Sequence, residues 1–292
     1  MNSTRREWLW GGLAAGALSG APAYRPQLAV QVFVWTQYLQ KEKRTLAEGV
    51  EDIISGCRAA GYEHAEFMSA FFAPVLRERT FALLEKHALK IPICYHGGPM
   101  HTAADAAKTS REILDLAGVL QPVGTRIINT NPSPKPDKAM KSAAELDIQA
   151  KALDELGAAL AGKGMRLIVH HHDPEMRDGA REWRHILKNT RLDLCLDLMW
   201  VARGGQNPLA LLKEAGRRVA TLHVRNMQDG VCTEAAGPGE IDYPAAVKHL
   251  KSMGWSGWAI VELFHEPGTR VSRPLVENLR LSRDYVATVF EA

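Results

Sequence analysis

Short β-branched and aromatic runs alternate with helix-length amphipathic segments eight times along the chain. That alternation restricts the fold more than any single residue does. The strand-like runs fall at 28–35, 62–67, 90–95, 125–130, 165–170, 192–197, 219–224 and 258–262. The helical patterns fall at 46–60, 74–87, 103–120, 139–161, 181–188, 208–215, 243–253 and 274–290. Strands separated by helix-length connections pair in parallel through right-handed crossovers. Eight such units in about 250 residues match an α/β fold, a single closed (β/α)8 TIM barrel. An open doubly wound sheet is the competing arrangement. It leads to the expectation of a glycine-rich phosphate turn after the first strand, where this chain has Trp35, Thr36, Gln37 and Tyr38.

Composition removes other classes. The 292 residues are 46% hydrophobic and 24% charged, ordinary for a folded globular chain. A net charge of +3, from 36 basic and 33 acidic residues, is too balanced for a nucleic-acid partner held by a basic surface. No uninterrupted apolar run of membrane-spanning length occurs. The N-terminus reads as an export signal: Arg5 and Arg6, then Trp8 and Leu9, a glycine- and alanine-rich run to Gly20, and Ala21-Pro22-Ala23. The pattern resembles a twin-arginine signal peptide over 1–23, cleaved after Ala23, leaving a barrel at 24–292 in the periplasm with no membrane span. A cytosolic basic tail and an uncleaved anchor are the alternatives. Cys57, Cys94, Cys195 and Cys232 are widely spaced and mostly within apolar patterns, so buried free thiols are expected.

In a barrel the strand C-termini carry the chemistry. Here apolar runs end on polar groups: Glu66, His96, Asn129 or Asn131, His170 and His172, Asp197, His223 and Glu262. A buried carboxylate is costly unless it is paired or bound to a cation. For Glu66 taken alone a satisfied rim residue is the plainer reading. Asp197, His223 and Glu262 on three successive strands point instead to a divalent metal.

Five segments carry a resemblance to a known family: 166–175, 196–205, 221–226, 237–242 and 260–262, which include His170-His171-His172-Asp173, Asp197, His223 and Glu262. They resemble the xylose isomerase-like TIM barrels, the sugar phosphate isomerases and epimerases, in the subgroup that includes inosose dehydratases. The resemblance implies one divalent ion, manganese first and magnesium, cobalt or zinc as alternatives, held from the fifth to eighth strands. Asp197, His223 and Glu262 fill the last three places. The fifth strand departs, with His170 where many relatives have glutamate. His170 is taken as ligand and His172 as base, since both share one strand parity, although the choice between them stays open. His171 has the opposite parity.

The same resemblance gives Glu262 a second role as acid or base, while His96, from its place after the third strand, is a catalytic candidate with a structural imidazole as the alternative. Glu66, from its strand end, and Trp200 and Arg225 are candidate substrate contacts: Trp200 by stacking on a sugar ring, with ordinary packing as the alternative, and Arg225 as an oxyanion or hydroxyl partner near a place where relatives have lysine. The segment 237–242 has glycines enough for a lid. The implied activity is metal-dependent enolisation of an unphosphorylated sugar, polyol ketone or keto-glycoside, followed by isomerisation, epimerisation or elimination. An exported sugar-binding barrel without turnover is the alternative. A DNA-repair endonuclease of the same fold would need a basic face, which the charge balance does not supply.

Overall fold

The computed structural model describes residues 23–292. The export segment read at 1–23 lies outside them except for Ala23. Eight parallel strands close into a barrel: β1 (Gln27–Gln31), β2 (His64–Met68), β3 (Lys90–Tyr95), β4 (Ile127–Thr130), β5 (Arg166–Val169), β6 (Asp193–Asp197), β7 (Val219–Val224) and, last around the ring, β10 (Trp258–Val261). Closure is made by β1 against β10, with Gln27 opposite Trp258 and Val30 opposite Val261. A small antiparallel hairpin, β8 (Met227–Gln228) and β9 (Val231–Cys232), sits on the loop after β7.

The outer layer is α1 (Phe33–Lys41), α2 (Leu46–Ala59), α3 (Arg77–Lys86), α4 (Ala103–Leu120), α5 (Ala143–Ala161), α6 (Asp173–Asn189), α7 (Leu198–Arg203), α8 (Pro208–Ala215), α9 (Tyr243–Ser252) and α10 (Leu275–Phe290). Their starts are written in the sequence. Thr45 with Glu48, and Ser142 with Glu145, form reciprocal capping boxes at α2 and α5; Thr102, Asn207 and Asp242 cap α4, α8 and α9. The helices bury apolar faces against the outward side chains of the strands, in one continuous core. No helix among the described residues is long and apolar enough to cross a membrane. All four cysteines are buried and free.

Three departures from the sequence pattern matter. The first strand-like run ends early, because the Gln31 side chain accepts from the Phe33 N–H and the chain turns into α1. Helix α6 begins at Asp173, eight residues before the pattern, then breaks where Asp178, Gly179 and Ala180 take left-handed backbone angles. The intact helical pattern resumes where the sequence places it. A one-and-a-half-turn helix, α7, follows β6 directly because the Asp197 side chain caps it.

Inside the barrel, Ala29, Ile93, Ile127, Ile168, Cys195 and Ile260 pack as a floor. Side chains alternate along a strand, so the residue two further on also faces inward. That step gives Gln31, Tyr95, Asn129, His170, Asp197 and Glu262, a polar layer on an apolar one. The turn after β5 is braced from outside the barrel. Lys141 is buried, and its ammonium donates to Glu182 (2.6 Å), Gln149 (2.8 Å) and the Pro132 carbonyl (3.0 Å). Glu175 closes the brace by accepting the His172 N–H at 2.7 Å.

Two stability outcomes follow. Gly257, on the turn into β10, lies against the next strand, and a Cβ there would overlap the Ala220 carbonyl oxygen. Gly257→Ala is expected to cost roughly 2–4 kcal/mol in chemical denaturation, since backbone cannot yield as a side chain can. Burial, helped by Glu182, pushes the Glu175 carboxyl up to about 7 against the pull of the His172 N–H and Lys141. An acid with its folded value raised stabilises the fold fully below its unfolded value, and loses that contribution as pH rises through the folded value. Glu175→Gln, neutral throughout, is therefore expected to melt near wild type at about pH 4 and above it at about pH 8.5, by up to about 3 kcal/mol.

Candidate metal centre

Three side chains of the polar layer and His223 of β7 converge at the barrel mouth. His170, Asp197, His223 and Glu262 are all buried, and each offers a ligand atom within 4.8 Å of the others. They come from the ends of β5, β6, β7 and β10, neighbours around the ring, so closure brings together residues 92 positions apart in sequence.

His223 is the centre of the cluster. Its Nε2 lies 2.7 Å from Glu66 Oε2, and Asn129 donates to the other Glu66 oxygen at 2.8 Å. Glu66, read from the sequence as a substrate contact, is therefore sealed, with both oxygens taken. It orients His223, the arrangement in which a carboxylate fixes one ring nitrogen and directs the other at an ion. That other nitrogen, Nδ1, lies 2.8 Å from Glu262 Oε2, yet neither atom has a hydrogen-bond partner with proper geometry. Two close donor atoms that do not point at each other suit co-ligands facing a common cation. His170 Nδ1 is likewise buried without a partner. Burial and neighbouring imidazoles hold His170 well below the usual histidine value, leaving it neutral with a free lone pair. Burial also works against charge on His223, but Cys195, Glu262 and Glu66 carry its value well up. Two imidazoles and two carboxylates converge, with His170 Nδ1, His223 Nδ1 and Glu262 Oε2 unpartnered, and they fit a divalent ion of the borderline to hard type.

Asp197 and Glu262 have a second cation. Arg225, buried, donates from Nε to Asp197 Oδ2 at 3.0 Å, and its Nη2 lies 2.9 Å from Glu262 Oε2. Burial raises the Glu262 carboxyl, but Arg225 and His223 outweigh it and hold the group at about 2. Arg225, expected to meet substrate, instead spends its guanidinium on these two carboxylates and rests over the Trp200 ring at 4.9 Å.

The rim holds the remaining residues. Trp200 sits between Arg225 and His172, whose ring meets it edge-on at 5.5 Å. His172 is partly exposed and packs edge-on against His170 at 4.8 Å. Burial lowers its value, so it is a neutral imidazole near pH 7. His171 turns out of the layer and accepts the Asp197 N–H at 3.1 Å. His96 is not brought to the cluster. Its Nδ1 meets Ser69 Oγ at 2.8 Å, and its Nε2 is 3.4 Å from Glu112 of α4. The inward residue of β3 is Tyr95, whose ring meets His170 edge-on at 5.9 Å. Counting by twos from Ile93 finds it; reading the last polar residue of the run does not. The 237–242 segment is fastened, because the Asn226 side chain binds the Gly237 and Ile241 carbonyls and the Ile241 N–H.

The sequence model of the xylose isomerase-like TIM barrel family matches residues 54–285. An inosose dehydratase of Clostridium botulinum is 24% identical over 166 residues, 49% of this chain and 54% of that protein. The chain thus spans about half the length of that relative. Among solved structures, an L-ribulose 3-epimerase superposes with a TM-score of 0.71 at 15% identity, covering 91% of this chain and 95% of that one. A 3-keto-D-glucoside 4-epimerase from E. coli superposes with a TM-score of 0.66 at 12% identity, covering 92% of this chain and 100% of that one. These structural likenesses speak to the fold, and the sequence match covers most of the barrel. The chain belongs to the xylose isomerase-like TIM barrel family.

Proposed function

We propose that this chain is a metal-dependent enzyme that removes a proton beside the carbonyl of an unphosphorylated sugar, polyol ketone or keto-glycoside. Isomerisation, epimerisation or loss of a β-hydroxyl would complete turnover. The observation that carries the reading is the buried His170, Asp197, His223 and Glu262 cluster with its unpartnered nitrogens. Inosose dehydratases and sugar epimerases among its relatives agree in reaction type. A divalent ion held there, manganese foremost, would supply Lewis acidity at a substrate carbonyl. Export is part of the proposal and rests on the twin-arginine-type segment at 1–23; unphosphorylated substrates suit that compartment.

The chain's own groups divide the proton work by their electrostatics. Glu262, held at about 2, is a poor base. His172 is neutral, partly exposed and beside the cluster, which makes it the better base. Tyr95 faces the same space with a phenol that burial keeps protonated, so it can donate to a substrate oxygen as charge develops. Trp200 presents its ring next to His172 as a wall for the substrate.

The deciding experiment is metal analysis of the purified chain followed by incubation in heavy water with sugars, inososes and keto-glycosides. One divalent ion per chain and deuterium incorporation beside a carbonyl are expected. Metal-replete protein that exchanges no hydrogen across the panel would favour the binding barrel without turnover. His172→Gln should keep its metal and lose about 10²-fold in exchange rate, the scale of a lost general base; an unchanged rate would return the role to Glu262. Tyr95→Phe should lower kcat/KM by about tenfold with metal content intact, as for one lost hydrogen bond.

A further inference from the structure

We infer that Arg225 is a resident counter-cation of the cluster and weakens metal binding by competing with the ion for Asp197 and Glu262. The inference rests on reading the four residues as a divalent-ion site.

The lone pairs of Asp197 are committed. Its Oδ1 accepts the Met199 and Trp200 N–H groups at 3.0 Å each, and its Oδ2 accepts Nε and Nη2 of Arg225. The first two bonds start α7 and are fixed by the backbone. Only the guanidinium can give way when an ion takes an Asp197 oxygen. The same holds at Glu262, where Arg225 Nη2 lies 2.9 Å from the very oxygen that stands beside His223 Nδ1. One guanidinium therefore spans the two carboxylates that supply the negative charge of the ligand set.

Its backbone cannot move aside. The Arg225 N–H meets the Tyr243 hydroxyl at 3.1 Å, and that hydroxyl donates to the Arg225 carbonyl at 2.8 Å. The side chain yields only by turning against Trp200, which already lies under the guanidinium at 4.9 Å. Without an ion, this cation keeps two buried carboxylates paired and the mouth folded, because an unpaired buried charge is strongly destabilising. With an ion, it is a like charge at short range among buried groups, where screening is weak.

The sign of the effect separates this role from simple positioning. If Arg225 merely held the ligands in place, removing it would loosen the ion. As a competitor, its removal should tighten the ion while weakening the metal-free fold. The test compares wild type, Arg225→Gln and Arg225→Lys, each stripped of metal and then titrated with Mn2+ by calorimetry and by thermal melting. Arg225→Gln is expected to lower the Kd for Mn2+ by about tenfold or more. Its metal-free Tm should fall below wild type, and saturating Mn2+ should close the gap. Arg225→Lys keeps the charge and should stay nearer the wild-type Kd.

If Arg225→Gln folds only with Mn2+ present, that dependence supports the inference as well. An unchanged or higher Kd in folded Arg225→Gln overturns it while leaving the metal centre standing. Absence of Mn2+ binding in both wild type and variant overturns the metal-centre reading itself, and the inference falls with it.

Discussion

Two carboxylates buried at the mouth of a closed barrel, Asp197 and Glu262, govern how the rest of the site is built. Neither can stand alone in that setting. Arg225 spans them, His223 lies against Glu262, and Glu66 fixes His223 from the other side. Asn129 then occupies the remaining oxygen of Glu66. Each of these groups is held by the next, so the polar layer is a chain of charge compensation running from β4 through β2 and β7 to β6 and β10. The apolar floor below it, with Ile93, Ile127, Ile168 and Ile260, keeps water from solving the problem from beneath.

The division of labour among the imidazoles follows from the same layer. His170 and His223 lie inside it, and differ because His223 has carboxylates on both sides while His170 has other imidazoles around it. His172, two residues after His170, has left the strand and stands at the rim, where a base is useful. Its place is set from outside the barrel, by the Glu175 carboxyl on its N–H and, behind that, the buried Lys141 and Gln149 with the half-buried Glu182. The rim geometry thus depends on a brace outside the barrel.

Much of this was legible in the chain. Alternation of strand and helix patterns gave the barrel, and several elements coincide with their patterns from end to end: Lys90–Tyr95, Ala103–Leu120, Pro208–Ala215 and Val219–Val224. Those segments have clear punctuation, such as Thr102 before α4 or Pro208 opening α8. Patterns failed where a side chain redirects the backbone. Gln31 ends β1 by bonding the Phe33 N–H, and Asp197 starts α7 while also serving the cluster. A β-branched run and a polar terminus carry no sign of either event. His96 ends the polar run after β3, but alternation from Ile93 turns Tyr95 rather than His96 toward the cluster.

By itself the sequence determined the barrel and the four side chains, His170, Asp197, His223 and Glu262, that converge at its mouth, because period-two alternation is a local property of each strand. Tertiary structure alone decided who pairs with whom. Glu66 and His223 are 157 residues apart and meet only across the closed mouth. Arg225 looks from its position like a substrate contact, yet it lies between Asp197 and Glu262 because β6, β7 and β10 are neighbours around the ring. Charge compensation acts over a few ångströms in three dimensions, and no spacing along the chain encodes which opposite charge will be the nearest.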